Sequence, residues 1–280
     1  MNPTKSMAER TTILRVPAGS NLHGLNLPGK DDQDELGICV EDLPYAMGFT
    51  EFEQYIYRTA AEREGYHNAP SQAGDLDLTI YSLRKFLRLA MQGNPQLVQS
   101  LFVPHNLCLY RNALGAHLQE LAPAIISRKA GSRYLGYLEA QRQRLLGKRG
   151  QKKTNRPELE AKYGFDTKYA MHIIRLGLQG VELLSTGKLT LPMTESQRVY
   201  TYAVRTGEVP LQDVLTKAGE LERELKDLTT SSSPLQAEPD RERVESWMLD
   251  TYLMAWKCRE TKTTFFESDL RSLAKEGSPS

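Results

Sequence analysis

Apolar positions in the first ninety residues fall into short extended patterns. Ile13-Leu14-Arg15-Val16 predicts one strand, and Leu36, Ile38 and Val40, separated by Gly37 and Cys39, predict a second that is buried on at least one face. The chain then breaks at Glu41-Asp42-Leu43-Pro44. A helix is expected near residues 50–64, followed by the loop Tyr66–Gly74. After Gly74 a strand-like alternation through Asp77, Thr79 and Tyr81 runs directly into an amphipathic helix. That helix carries Leu83, Phe86, Leu87 and Ala90 on one face and Arg84, Lys85 and Arg88 on the other. Residues 1–10 are expected to be frayed.

Beyond Gly93-Asn94-Pro95 the pattern is entirely helical. Helices are predicted near 111–120, 131–147, 166–186, 195–206, 210–228 and 240–258, with Thr194-Glu195-Ser196-Gln197 as a capping box at the start of one of them. Thr229 through Pro239 has the composition of a flexible connector. Past it, Val244, Trp247, Met248, Thr251 and Tyr252 recur at helical spacing and form a packing stripe. The expected class is α+β: a small mixed sheet with flanking helices, followed by a helical domain. The expected boundaries are 1–105, 106–228, the connector 229–239, and a C-terminal helix and tail over 240–280.

Composition narrows the possibilities. Lys plus Arg (36) nearly balances Asp plus Glu (35), so any affinity for polyanions must come from local clusters. Cys39, Cys108 and Cys258 are scattered and odd in number, which fits reduced thiols in a cytoplasmic protein, with Cys39 in the core. No apolar run approaches a membrane span, and the N-terminus lacks the layout of a signal peptide.

The candidate chemistry sits in residues 19–37. Gly19-Ser20 is a corner that a phosphate can approach, because glycine has no Cβ and the serine hydroxyl is a ready donor. Asp32 and Asp34 are two apart, so on an extended segment they point the same way, and adjacent carboxylates repel unless a cation, usually magnesium, lies between them. A calcium loop counted from Asp32 fails, since its fifth and twelfth positions are Leu36 and Leu43. A third carboxylate, Asp77, lies on a strand that can sit beside the first, whereas Asp75, nearer the glycine, is expected to face solvent. Lys168, His172 and Arg175 share one helix face by four- and three-residue spacing. Arg142, Arg144, Lys148, Arg149, Lys152, Lys153 and Arg156 form a basic run with no acid between Glu139 and Glu158, a pattern that suits a polyanion.

The arrangement Gly19-Ser20-x-x-x-Gly24, Asp32-x-Asp34, Gly37, with the later Asp77, resembles the DNA polymerase beta superfamily of nucleotidyltransferases. Asp77 through Phe86, Gly93-Asn94-Pro95, Leu101 through Pro104, Tyr134 through Gln141 and Asp166 through Arg175 resemble, more narrowly, a bacterial and phage group of nucleotidyltransferases linked to RNA repair. The resemblance spans most of residues 13–210. One departure is Asp31-Asp32, where Ser-Asp is commoner, which leaves open whether Asp31 is also a ligand. The resemblance implies a polymerase-beta-like catalytic domain in which Asp32, Asp34 and Asp77 hold two magnesium ions. It further implies that Gly19 and Ser20 bind the β- and γ-phosphates of a nucleoside triphosphate, and that Lys168, His172 and Arg175 contact triphosphate or RNA phosphate. Arg149, Lys152 and Lys153 would touch an RNA acceptor. A protein- or small-molecule-modifying transferase, or a non-catalytic nucleotide- or RNA-binding module, would carry the same motif.

Overall fold

A computed structural model describes residues 3–27, 33–66, 69–147 and 156–261 of the chain. Its described strands are β1 (Thr12–Pro17), β2 (Gln33–Cys39), β3 (Gln54–Arg58), β4 (Leu76–Ser82) and β5 (Tyr110–Arg111), in one mixed sheet of order β3-β4-β2-β1-β5. Within the first half, α1 (Pro3–Arg10), α2 (Gly19–His23), α3 (Leu43–Met47), α4 (Thr59–Glu64), α5 (Leu83–Met91) and α6 (Pro95–Val98) flank this sheet. The second half is built from α7 (Ala113–Glu120), α8 (Ala122–Ile125), α9 (Lys129–Leu145), α10 (Pro157–Tyr163), α11 (Thr167–Thr186), α12 (Glu195–Thr206), α13 (Leu211–Asp227) and α14 (Arg241–Thr261). The fold is therefore α+β, with a helical region after the sheet. Among the described residues no helix is long and apolar enough to cross a membrane.

β2 and β4 run parallel, which places Asp34 directly beside Asp77, and β3 pairs antiparallel with β4 so that Arg58 opposes Asp77. The two-residue period then sorts the faces. Leu36 and Ile38 of β2 join the large core under α5 and α7, while Leu78 and Ile80 of β4 join a smaller cluster with Met7, Ala8, Cys39 and Phe52 on the opposite face. In the helical region α11 is central, packing on α9, α12 and α13, and eleven of its twenty residues are buried. Asp166 caps its start by accepting from the Lys168 and Tyr169 N–H groups (2.9 and 3.2 Å).

Five sequence expectations are corrected here. Residues 3–10 form α1, which packs against β3 and β4 through Met7 and Ala8; a helix this short is stable only by docking. The helix expected over 50–64 is a strand followed by the short α4, because Tyr55 and Tyr57 favour extended backbone and the open edge of β4 supplies partners. β5 interrupts the helical half by pairing with β1. The Thr194 hydroxyl makes no cap hydrogen bond and lies 3.5 Å from the Ser196 hydroxyl instead, while Glu195 pairs with Arg198. Asp75 is buried, not solvent-facing: Arg63 holds both its oxygens (2.7 and 3.1 Å) and the Gln72 N–H donates to it (2.7 Å).

The stripe on α14 is packing surface. Val244, Trp247, Thr251 and Tyr252 are buried, and the helix returns to the end of β2, where Tyr252 donates to the buried Glu41 carboxylate (2.8 Å) and Trp256 to the Glu41 carbonyl (2.9 Å). The Leu83 N–H completes the cradle at 3.3 Å. Burial raises the Glu41 pKa above its ordinary value, partly offset by the Tyr252 and Leu83 donors. A carboxylate whose pKa is raised by folding contributes less stability as pH climbs through the window above its unfolded value. Tyr252→Phe removes a donor that favours the ionised form. It is expected to cost roughly 1–3 kcal/mol at pH 7 and less near pH 4, measured by urea unfolding at the two pH values.

Candidate functional site

The site begins where β1 ends. The Ala18 N–H donates to the Asp34 carbonyl (2.8 Å), which brings the chain alongside β2, and Gly19 then turns into α2 with φ of +60°. An added Cβ on Gly19 would stand 2.0 Å from Asp34 Oδ2. The carboxylate therefore rests on the bare Cα of Gly19, a spacing that only glycine permits.

Arg58, Asp77 and Asp34 form a row across β3, β4 and β2. Asp77 Oδ2 accepts from Arg58 Nε (3.1 Å) and from the Ser71 hydroxyl (3.1 Å), and Arg58 Nη2 also donates to Ser71 (2.9 Å). Asp77 Oδ1 is buried with no hydrogen-bond partner. A buried carboxylate oxygen left unpartnered is costly, so it marks a place where a cation or donor fits. Among the described residues no set of three His, Cys, Asp or Glu side chains gathers as a metal site; Asp34 and Asp77 make a pair. Asp32, the third acid expected from the sequence, lies outside the described residues, as do Arg149, Lys152 and Lys153.

Three smaller cavities meet at Gly19, and one larger cleft runs along the row. One of about 240 Å³ is lined by Gly19, Asp34, Arg58 and Asp77. A second, of about 190 Å³, brings Gly19, Ser20 and Asp34 against Lys168, His172 and Arg175 of α11. The third, of about 240 Å³, shares Gly19, His172 and Arg175 and extends toward α6 and α9. The cleft, of about 780 Å³, runs past Ser20, Asp34 and Asp77 to Arg58, Arg156, Lys168 and Arg205. The sheet residues and the α11 residues singled out in the sequence thus face each other across one space.

Its electrostatics are those of an anion site. The Arg175 pKa is pushed down to about 10 by burial. Arg175 Nη1 donates to His23 Nε2 (2.8 Å) and to Gln179 Oε1 (3.3 Å). A guanidinium only donates, so His23 must be neutral to accept, and burial followed by the Arg175 charge holds its pKa well below the ordinary value. His172 is likewise held low, first by burial and then by Arg175, Lys168, Arg156 and Arg205. Arg205 is lowered by burial and by Arg156. Of the basic run, Arg142 is spent on Glu139 and Glu222, and Arg156 pairs with Asp166 while still lining the cleft. Lys85 and Arg88 pair with Glu53 at the surface.

Sequence reasoning missed several residues here. Arg58 was hidden in a segment read as helix, and its role opposite Asp77 exists only through strand pairing. Arg205 comes from a separate element, α12, and carries no local pattern. His23, four residues after Gly19, was the one with a signal nearby.

No curated protein matches the chain. A solved spectinomycin adenyltransferase, AAD(9) from Enterococcus faecialis, determined with ATP and spectinomycin, aligns at 16% identity with a TM-score of 0.39, covering 80% of this chain and 97% of its own. The model of the family described as RlaP, RNA repair pathway DNA polymerase beta family, matches residues 1–250 of the 280. With the match running through the sheet, the Asp34–Asp77 row and the α11 wall, the chain belongs to this RNA repair pathway DNA polymerase beta family and is a nucleotidyltransferase.

Proposed function

We propose that this nucleotidyltransferase moves a nucleoside monophosphate from a nucleoside triphosphate to the hydroxyl of an RNA end, with magnesium as its cation and pyrophosphate as leaving group. One observation carries the reading. Asp34, which pairs with Asp77 and its buried, unpartnered Oδ1, shares one cavity with Gly19 and Ser20 on one side and Lys168, His172 and the buried Arg175 on the other. Buried charge of either sign is costly when alone, and a magnesium triphosphate supplies the missing partner to both sides at once.

Asp34 and Asp77, with Asp32, are the residues that would hold two magnesium ions; carboxylate oxygens are the hard donors such ions take. When bound, magnesium draws charge from the triphosphate and lowers the pKa of the acceptor hydroxyl. The remaining work falls to the chain. Arg58 and Ser71 fix the Asp77 carboxylate through Oδ2 and leave Oδ1 without a hydrogen-bond partner. Gly19 and Ser20 would take the β- and γ-phosphates, Lys168 and Arg175 would clamp them, and His172 would act as a donor. In the reaction a new bond forms between the acceptor oxygen and the α-phosphorus, and the bond from the α-phosphorus to pyrophosphate breaks. Holding those atoms in line and offsetting charge needs no nucleophilic side chain.

An RNA acceptor is supported by the family and by the cations Arg58, Arg156, Lys168 and Arg205 along the larger cleft, which suit a phosphodiester chain. The test is incubation with each labelled nucleoside triphosphate and magnesium, in the presence of total cellular RNA and total cellular protein. Label is expected in RNA, with pyrophosphate released. Label in protein or in small molecules would replace the acceptor, and binding without pyrophosphate release would replace the enzyme by a binding module.

A further inference from the structure

His23 ends α2, the five-residue helix that begins with Gly19 and Ser20, and only 1% of it is exposed. A side chain this enclosed does not bind a substrate directly. What it touches is Arg175, whose Nη1 donates to His23 Nε2 at 2.8 Å. Gln179, one turn further along α11, sits against both partners. Its Oε1 accepts from Arg175 Nη1 at 3.3 Å, and its Nε2 lies 3.4 Å from His23 Nδ1. The contact ties the Gly-Ser corner to the facing helix across 152 residues.

Two other arginines of this space are held by carboxylates, Arg58 by Asp77 and Arg156 by Asp166. A carboxylate fixes a guanidinium firmly but offsets its charge. A neutral imidazole nitrogen and an amide oxygen fix it and leave the charge whole. Arg175 lines two of the cavities that meet at Gly19. Its hydrogen bonds among the described residues all come from Nη1, so Nε and Nη2 keep their donors.

We infer that His23 is a positioning residue for nucleotidyl transfer. By accepting from Arg175 while neutral, it holds the guanidinium against the Gly19–Ser20 corner with its charge intact for the triphosphate. It acts through Arg175 and touches no reacting atom. The inference rests on Arg175 clamping phosphate, as proposed above, and adds the group that sets its place and its charge. A histidine there for packing alone would be replaceable by any side chain that fills the space and satisfies Arg175, a carboxylate best of all.

The test is calorimetric binding of inorganic tripolyphosphate and of ATP, with magnesium, beside thermal melting, on the parent, His23→Gln, His23→Glu and His23→Phe. Glutamine carries an acceptor about as far from the backbone as Nε2, glutamate adds a charge to the same shape, and phenylalanine keeps a ring without an acceptor. His23→Gln should bind tripolyphosphate within about threefold of the parent, the scale of a slightly displaced hydrogen bond. His23→Glu should bind it about tenfold or more weakly while melting no lower than His23→Gln, because the new carboxylate pairs with Arg175 and offsets its charge. His23→Phe should lose about tenfold in binding and also melt lower, since it strands a buried donor. ATP should follow tripolyphosphate in each variant. Equal binding by the Glu and Gln variants, a Gln loss as large as the Phe loss, or binding losses that simply follow melting temperature would overturn the role of His23 and leave the phosphate site in place. A Glu variant that does not fold would overturn it too, since the pair with Arg175 is what should keep it folded. A parent that binds neither tripolyphosphate nor ATP would overturn the phosphate site itself, and this inference with it.

Discussion

Asp34→Asn is expected to lower nucleotidyl transfer on the order of a thousandfold or more while leaving the melting temperature within a few degrees of the parent. The asparagine keeps the shape of the side chain against Gly19 but halves the charge of the Asp34–Asp77 pair, and in this chemistry neutralisation of charge is most of what the protein supplies. Asp77→Asn should fail in a different way. It would leave the half-buried Arg58 guanidinium without its ion pair, adding a stability loss of about 1–3 kcal/mol to the loss of activity. The double variant Arg58→Met, Asp77→Asn should then regain much of the stability and none of the activity. Pyrophosphate release and thermal melting, measured on all three, separate the two effects. Full turnover in Asp34→Asn would remove that carboxylate from the site.

Gly19→Ala should be nearly as damaging, though it adds a single methyl group. At φ of +60° an alanine costs roughly 1–2 kcal/mol on backbone grounds, and its Cβ would occupy the space of Asp34 Oδ2. Either the Asp34 carboxylate swings off the row or α2 moves with Ser20. Displacement of a reacting group by about 1 Å is worth on the order of a hundredfold in rate, so kcat should fall at least that far. Stability should drop by about 1–3 kcal/mol. Steady-state kinetics beside thermal melts read both numbers, and parent-like kcat would show that the Gly19–Asp34 contact is incidental.

Both Asp34 and Gly19 are visible in the sequence. The spacing of Asp34 from Asp32 and the Gly-Ser corner are local patterns, readable because a strand repeats every two residues and because glycine alone tolerates such a turn. Lys168, His172 and Arg175 were readable as one helix face for the same reason. What those groups face was not readable. Arg58 meets Asp77 only because β3 adds to the edge of β4, a pairing across 19 residues that overrode the helical appearance of the surrounding segment. Arg175 meets His23 across 152 residues, which turns an ordinary helix-face arginine into a buried cation with a lowered pKa. The same holds for Glu41, an acid at a predicted break, which becomes the buried anchor of α14 211 residues later.

By itself the sequence determined the α+β class, the strands carrying Asp34 and Asp77, most of the helices of the second half, and the family, since each follows from short-range periodicity or from contiguous motifs. Only the tertiary structure decided that β3 and β5 are strands, that α1 is ordered, and that Asp75 is buried. It also decided which cations face the Asp34–Asp77 row. These are outcomes of pairing and burial between distant segments, where the free energy lies in contacts that no local window contains.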